Sequence, residues 1–397
     1  MNQDPVVVVS VARTPMGTFQ GGFSNLTAPQ LGAVAIQAVV ERGGIDPALV
    51  DEVLMGCVLP AGLGQAPARQ AALAAKLPLS VACTTLNKVC GSGMKSIMFG
   101  HDGILAGSYE IAVTGGMESM TNAPYLLTKA RGGYRLGNGQ IYDHMFLDGL
   151  EDSYLKETRG RLMGTFAEDC AGMYQFSREV QDAYAIRSTQ RSQQASQDGS
   201  FDWEIAPVTI TNRKGHQVID KDEGPFAVNI DKIPELKPAF DKNGTVTAAN
   251  SSSISDGAAA LLLMRASKAH QLGLTPIAKI ITHATYAQAP ALFTTAPVGA
   301  IKKLMQKTGW ETSQVDLFEI NEAFAVVTMA AMHDLDLPAE KVNLHGGACA
   351  LGHPIGASGS RIVVTLLGAL KKHALKRGVA AICLGGGEAT AIAFEML

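Results

Sequence analysis

Charge is scarce in this 397-residue sequence: only 17% of its residues are Asp, Glu, Lys or Arg, against about 25% in an average soluble domain. The 33 basic and 36 acidic residues leave a net charge of −3. No basic excess marks a nucleic-acid or anionic-membrane surface, and neither partner is expected. Cysteine is sparse and scattered, at positions 57, 83, 90, 170, 349 and 383, with no C-x-x-C pair and no His pair at i, i+4. That spacing supports neither a disulfide framework nor a metal site, and no metal is expected. Long apolar runs are missing too. The longest, Ala258 to Met264, falls far short of the ~18 residues that a membrane span needs. The opening MNQDPVVVVSVARTP lacks the basic and apolar regions of a signal peptide. The closing Glu-Met-Leu is neither an ER-retention nor a peroxisomal tail. A cytoplasmic protein with reduced thiols is expected.

What is present is apolar and glycine-rich: 47% hydrophobic residues and 42 glycines without a collagen-like period. Single cores stop growing at about 250–300 residues, so more than one domain is expected. Charge is also uneven. Thr121 to Thr247, a third of the chain, carries 33 of its 69 charged residues. That segment holds the loop-like RGGYRLGNGQ and NRKGHQVIDKDEGP and one clear helix, REVQDAYAIRSTQ, with Ser177 as N-cap. It reads as a polar insertion in a hydrophobic body.

The body reads as duplicated. Cys90-Gly-Ser-Gly leads into a helix with Met94, Ile97, Met98, Ile104 and Leu105 on one face. A strand, Ile111 to Thr114, follows and ends in Gly-Gly-Met-Glu. Some 270 residues later, Gly356-Ala-Ser-Gly leads into a helix with Ile362, Val363, Leu366, Leu367 and Leu370 on one face. A strand, Val379 to Leu384, then ends in Gly-Gly-Gly-Glu. Continuous apolar strands alternating with helices predict α/β layers with strands buried on both faces.

Four sites carry chemistry. Cys90 stands at a helix entrance, where the partial positive charge is expected to lower a thiol's pKa, and the glycines allow close approach to backbone N–H groups. On its own, a free cysteine is more often a small buried hydrophobe. His353, in Gly-His-Pro, is expected on an irregular, mobile loop with a near-neutral pKa, able to take the thiol's proton. His345 is its rival, and a plain surface histidine is the bland alternative. Cys383 ends a buried-type strand, where α/β sheets place ligands; core packing explains it equally well alone. Asn321 and Glu322 follow another short strand, and an Asn amide there can help to hold an oxyanion. Phosphate-cradling motifs are absent: no G-x-x-x-x-G-K-[ST] occurs, and neither Gly91-Ser-Gly nor Gly385-Gly-Gly completes G-x-G-x-x-G.

Together, Cys90-Gly-Ser, Asn321-Glu-Ala, Gly352-His-Pro and Cys383-Leu-Gly resemble the four catalytic loops of the thiolase family, in the family's order. The stretches VVSVARTPMGTFQGGF and KPAFDKNGTVTAANSSSISDGAAA resemble thiolase segments as well. The resemblance implies an α/β fold, a five-layered αβαβα body of two duplicated βαβαβαββ halves with an inserted α+β loop domain. The boundaries implied are 1–120 with 248–270 for the first half, 121–247 for the loop domain and 271–397 for the second half. It gives Cys90 the role of acyl-accepting nucleophile, His353 that of its base and Cys383 that of the acid/base acting on an α-proton. Asn321 would hold a water of one oxyanion hole; the N–H groups of Cys90 and Gly385 would form the other. Coenzyme A and acyl-CoA are then substrates, with no separate cofactor. Family contacts fall on Leu150, Met163, Ala239, Phe240 and Ala248 and on Ser252, Ile254, Ala323 and Phe324, with Phe293 lining the acyl pocket. The stretch 123–145 resembles the loop that makes thiolase tetramers, so a homotetramer is expected.

Met163-Gly164 is a short-chain feature and favours reversible condensation of two acetyl-CoA into acetoacetyl-CoA plus CoA. Leu162, Phe293-Thr294, Lys232 and His345 depart from the short-chain pattern and bear on acyl length rather than reaction class. The alternatives are a β-oxidation 3-ketoacyl-CoA thiolase of broader or longer chain length and a non-catalytic acyl-CoA or lipid-binding relative.

Overall fold

The computed structural model describes residues 4–212 and 215–397. Two residues of the loop-like stretch NRKGHQVIDKDEGP, 213 and 214, and the first three residues of the chain lie outside them. In chain order the main strands are β1 (Val6–Arg13), β2 (Glu52–Gly56), β3 (Ala82–Leu86), β4 (Ile111–Ser119) and β5 (Ser255–Arg265). The second half contributes β6 (Ala278–Ala287), β7 (Leu317–Ile320), β8 (Arg377–Leu384) and β9 (Glu388–Met396).

The duplication is visible in the pairing. In the first half β3, β2 and β4 run parallel, and β5 and β1 complete the sheet antiparallel. In the second, β7 and β8 run parallel, followed by antiparallel β9 and β6. Both sheets thus place their parallel strands outside and their antiparallel ones inside. They meet edge to edge where Val7 and Val8 of β1 pair with Lys279 and Ala278 of β6.

Alternation along each strand sorts its side chains into separate cores, because successive residues point to opposite faces. Val7 and Val9 of β1 join Ala258, Ala260, Leu262 and Met264 of β5 in a core under α1 (Ala28–Gly43). Val6, Val8 and Val11, with Ala259, Leu261 and Leu263, face a middle core. That core is filled by α2 (Ser92–Ala106) and by the helix Ile355–Lys372 of the other half. Val379 and Ala381 of β8 face a third core, and Ala380 and Ile382 face the middle one. The order is therefore helix, sheet, helix pair, sheet, helix: five layers, with the strands buried on both faces as their unbroken apolar runs require.

Two expectations need correction. Gly-Gly-Met-Glu does not end the Ile111 strand; β4 runs on to Ser119, paired with β5 in unbroken register from Ile111–Met264 to Ser119–Asp256, and Gly115 and Gly116 lie where a Cβ would meet backbone at 2.2 and 2.1 Å. The insertion holds a second long helix, Met163–Tyr174, and its loop-like stretch folds into a hairpin of Val208–Asn212 on Gly215–Ile219. Ser177 caps Arg178–Gln197 as expected, accepting from the Val180 N–H at 3.5 Å. The insertion is tied down by Arg13, fully buried, which donates to both carboxylate oxygens of Asp222 at 2.6 and 2.9 Å and to Glu204 at 2.5 Å. Among the described residues no helix is long and apolar enough to cross a membrane.

Candidate active site

The two middle-layer helices begin side by side, and each is preceded by one of the reactive residues. Cys90 lies two residues before α2; His353 lies two residues before Ile355–Lys372. Cys383 stands at the C-terminal end of β8. All three line one cavity of about 50 Å³ with Leu150, Met163, Ser252, Phe293, Ala323, Phe324 and Gly385. It opens into a larger apolar cleft of about 340 Å³, which Leu150, Met163, Ser252, Phe324 and His353 also line. Ala239, Phe240, Ala248 and Ile254 lie along that cleft. Every side chain matched to substrate contact thus borders one space or the other.

The loop before Cys90 is held in an unusual shape. Val89 has φ +47°, a costly conformation for a β-branched residue. Its N–H donates to Asn87 Oδ1 at 2.8 Å, while the Ser92 hydroxyl accepts from the Lys88 N–H at 2.8 Å and donates to the Val89 carbonyl at 2.6 Å. The outcome is that the Cys90 sulfur faces two backbone N–H groups, its own and that of Gly385.

The expected thiol activation is reversed. Burial pushes the Cys90 thiol up to about 12, and the Glu118 carboxylate adds to the rise. The two N–H groups act in the opposite direction and lose. A helix entrance is worth little against removing a thiolate from water.

His353 differs from expectation in the same way. It is buried rather than mobile, with its N–H on the Ser253 carbonyl at 3.0 Å and the preceding Gly352 at φ +96°. Burial first, and the nearby Arg361 guanidinium second, lower its pKa to about 3, so it rests neutral. The tautomer follows from its neighbours. Ser358 Oγ donates to the Pro354 carbonyl at 3.0 Å, so it can only accept from His353 Nδ1, 2.5 Å away. The proton is therefore on Nδ1, and Nε2, with no protein partner, offers a lone pair. His345 does not compete. It is buried outside both spaces, edge-on to Phe201, and is lowered to about 4 by burial and by His373.

Cys383 is 1% exposed and close enough to Cys90 that their negative charges would repel; burial raises its thiol as well. Asn321 follows β7 and is buried, with neither carboxamide atom bonded to protein, but it does not itself line the small cavity. Glu322 has a different task. It accepts from Tyr184 at 2.8 Å, Ser188 at 2.7 Å, Asn343 at 2.8 Å and the Cys349 N–H at 3.0 Å, joining the insertion's long helix to the segment before His353.

Sequence reasoning missed Glu118, which accepts from the N–H groups of Val58, Leu59 and Gly356 at 2.9, 3.2 and 2.9 Å and so fixes the start of the His353 helix against the first half. The Glu at the end of Gly-Gly-Met-Glu was the available signal. It also missed a His101, Asp102 and His283 group, whose ligand-type atoms lie within 4.8 Å of one another. His101 and Asp102 are neighbours on α2 and His283 lies on β6; the 2.8 Å contact of His283 with Asp102 is a hydrogen bond that latches the two elements, and His101 lies 3.0 Å from the same carboxylate oxygen.

Known proteins resemble the chain along essentially its whole length. The thiolase N-terminal domain family matches residues 6–267 and the thiolase C-terminal domain family matches 274–396. The chain is 53% identical to acetyl-CoA acetyltransferase 1 of Arabidopsis thaliana, over 99% of this chain and 94% of that one. It is 47% identical to an acetyl-CoA acetyltransferase of Cupriavidus necator, over 98% and 99%. The Acat5 thiolase of Ascaris suum, solved in complex with coenzyme A, superposes with a TM-score of 0.92 at 42% identity, covering 99% of this chain and 100% of that one. The acetyl-CoA acetyltransferase of Bacillus anthracis superposes at 0.96 with 40% identity, covering 99% of both. The chain belongs to the thiolase family.

Proposed function

We propose that the protein is an acetyl-CoA C-acetyltransferase, condensing two acetyl-CoA into acetoacetyl-CoA and CoA and running the reverse thiolysis. The observation that carries this is the pairing of spaces: an apolar cleft of about 340 Å³ adjoins a chamber of about 50 Å³ lined by both thiols and the imidazole. A chamber that size takes only a few water-sized groups. The insertion 121–247 supplies Leu150, Met163, Ala239 and Phe240 to the cleft, which supports reading it as a CoA-binding domain inserted in the first half. Tyr125, Leu127, Leu136 and Ile141 stand exposed on the same insertion and support its role in a homotetramer.

In the first half-reaction Cys90 Sγ attacks the thioester carbonyl while His353 Nε2 takes the thiol proton. The N–H groups of Cys90 and Gly385 receive the developing oxyanion. The C–S bond to coenzyme A breaks, the leaving sulfur takes the Cys383 proton, and CoA departs. Cys383 is left as a thiolate and His353 as an imidazolium. In the second half, Cys383 removes the α-proton of a second acetyl-CoA, whose enolate oxygen faces His353 Nε2–H and a water held by the Asn321 amide. The enolate carbon attacks the acetyl group on Cys90, and the Cys90 sulfur leaves with the imidazolium proton. Every proton returns, and the order of events is ping-pong. The raised thiols and lowered imidazole make neutral partners the resting state, so charge develops only once the attack on the thioester has begun.

Phe293, 3% exposed and edge-on to Phe166, closes the acyl end of the chamber. Thiolysis of acetoacetyl-CoA should therefore exceed that of a long-chain 3-ketoacyl-CoA. Phe293→Ala should shift the kcat/KM ratio toward the longer substrate by at least ~10-fold, since each methylene in an apolar pocket is worth about that much. A wild-type preference for the long substrate would replace the acetyl reading with a β-oxidation thiolase.

A further inference from the structure

The two oxyanion donors of Cys90 and Gly385 belong to opposite halves of the molecule, on loops almost 300 residues apart. Nothing in the chain's local geometry fixes their separation. Three contacts do. Val89 Cγ1 lies in van der Waals contact, 3.5 Å from where a Cβ on Gly385 would stand; Leu384 reaches Gly91; and Lys88 Nζ pairs with Glu388 Oε2 at 2.5 Å. Lys88 is two residues before Cys90, and Glu388 is three residues after Gly385. Its side chains are 21% and 33% exposed, so the pair is shielded more than an ordinary surface bridge. The loop it holds is the strained one, with Val89 at φ +47°. Such a conformation persists only where its surroundings over-determine it.

We propose that the Lys88–Glu388 ion pair is a positioning device that sets the spacing of the Cys90 and Gly385 N–H groups, and thereby the rate of the chemical step. The inference rests on the assignment of those two groups as oxyanion donors. An oxyanion hole works only when both donors lie about 2.7–3.1 Å from the same developing charge, and a displacement of about 1 Å is costly. Neither side chain reaches the substrate cleft, so the pair acts through the loops it joins.

The test compares Lys88→Gln, Glu388→Gln and the exchanged pair Lys88→Glu with Glu388→Lys, in thiolysis of acetoacetyl-CoA. Each single variant should lose ~10-fold in kcat, with KM for CoA within ~2-fold of wild type. The melting temperature should stay within ~2 °C, as expected for one partly exposed pair. The exchanged pair should recover most of the lost kcat. Single variants with wild-type kcat would overturn the proposal, as would folded variants whose exchanged pair is no better than either single. If the wild-type protein itself turns over no acyl-CoA, the underlying catalytic reading fails and the positioning role falls with it.

Discussion

A Cys90→Ala variant is expected to lose at least ~10⁴-fold in kcat for both condensation and thiolysis, while remaining folded. The size follows from the role: a nucleophile that carries the covalent intermediate has no substitute, and what persists is binding and oxyanion stabilisation alone. Folding is spared because the sulfur borders a cavity and only flanks the neighbouring cores, where Cys90 is partly buried. The check is steady-state thiolysis of acetoacetyl-CoA beside thermal unfolding of the same preparation. Turnover within 100-fold of wild type would remove Cys90 from the reaction path.

The second large effect separates the two thiols. Cys383→Ala should lose ~10³–10⁴-fold in condensation, the upper range for a general acid–base group, yet still take an acetyl group onto Cys90. The asymmetry is chemical. A departing coenzyme A is a thiolate that leaves tolerably without a proton, whereas an α-carbon gives up its proton only to a positioned base. Mixing the variant with acetyl-CoA should release one equivalent of CoA per site in a burst and then nearly stop. Sustained condensation at the wild-type rate would assign the proton transfer elsewhere. A ketoacyl synthase, which shares a nucleophilic cysteine but does not need the second thiol, would behave in that second way.

Much of this was legible in the chain itself, for a definite reason. The unbroken apolar character of β1, β5 and β8 reports burial on both faces, and that alone requires helices above and below. The repeat of glycine-rich loop, apolar helix and strand gives the duplication. Cys90, His353 and Cys383 each sit at a helix entrance or strand end, positions that an α/β layout brings to one edge. The protonation states were not legible. The expected lowering of the Cys90 thiol came from a local argument about helix ends; what decides it is burial among groups such as Leu150, Met163, Phe293 and Phe324, which approach from four other segments. His353 read as mobile because glycine and proline flank it, while in the fold the same glycine lets the backbone pass Ser255 and the histidine is held by Ser358. Glu118, Glu322 and the Lys88–Glu388 pair are charged residues whose partners lie from 21 to 300 positions away. No periodicity marks such a residue; only the packed chain does.

The central claim is that Cys90 becomes acylated while its neighbour Cys383 does not. Incubation of the protein with acetyl-CoA alone, acid quench, digestion and mass spectrometry of the cysteine peptides tests it directly. The account predicts one acetyl group on the Cys90 peptide, none on the Cys383 peptide, and loss of the adduct when CoA is added before the quench. An unmodified Cys90, or an acetyl group carried by Cys383 instead, would contradict it.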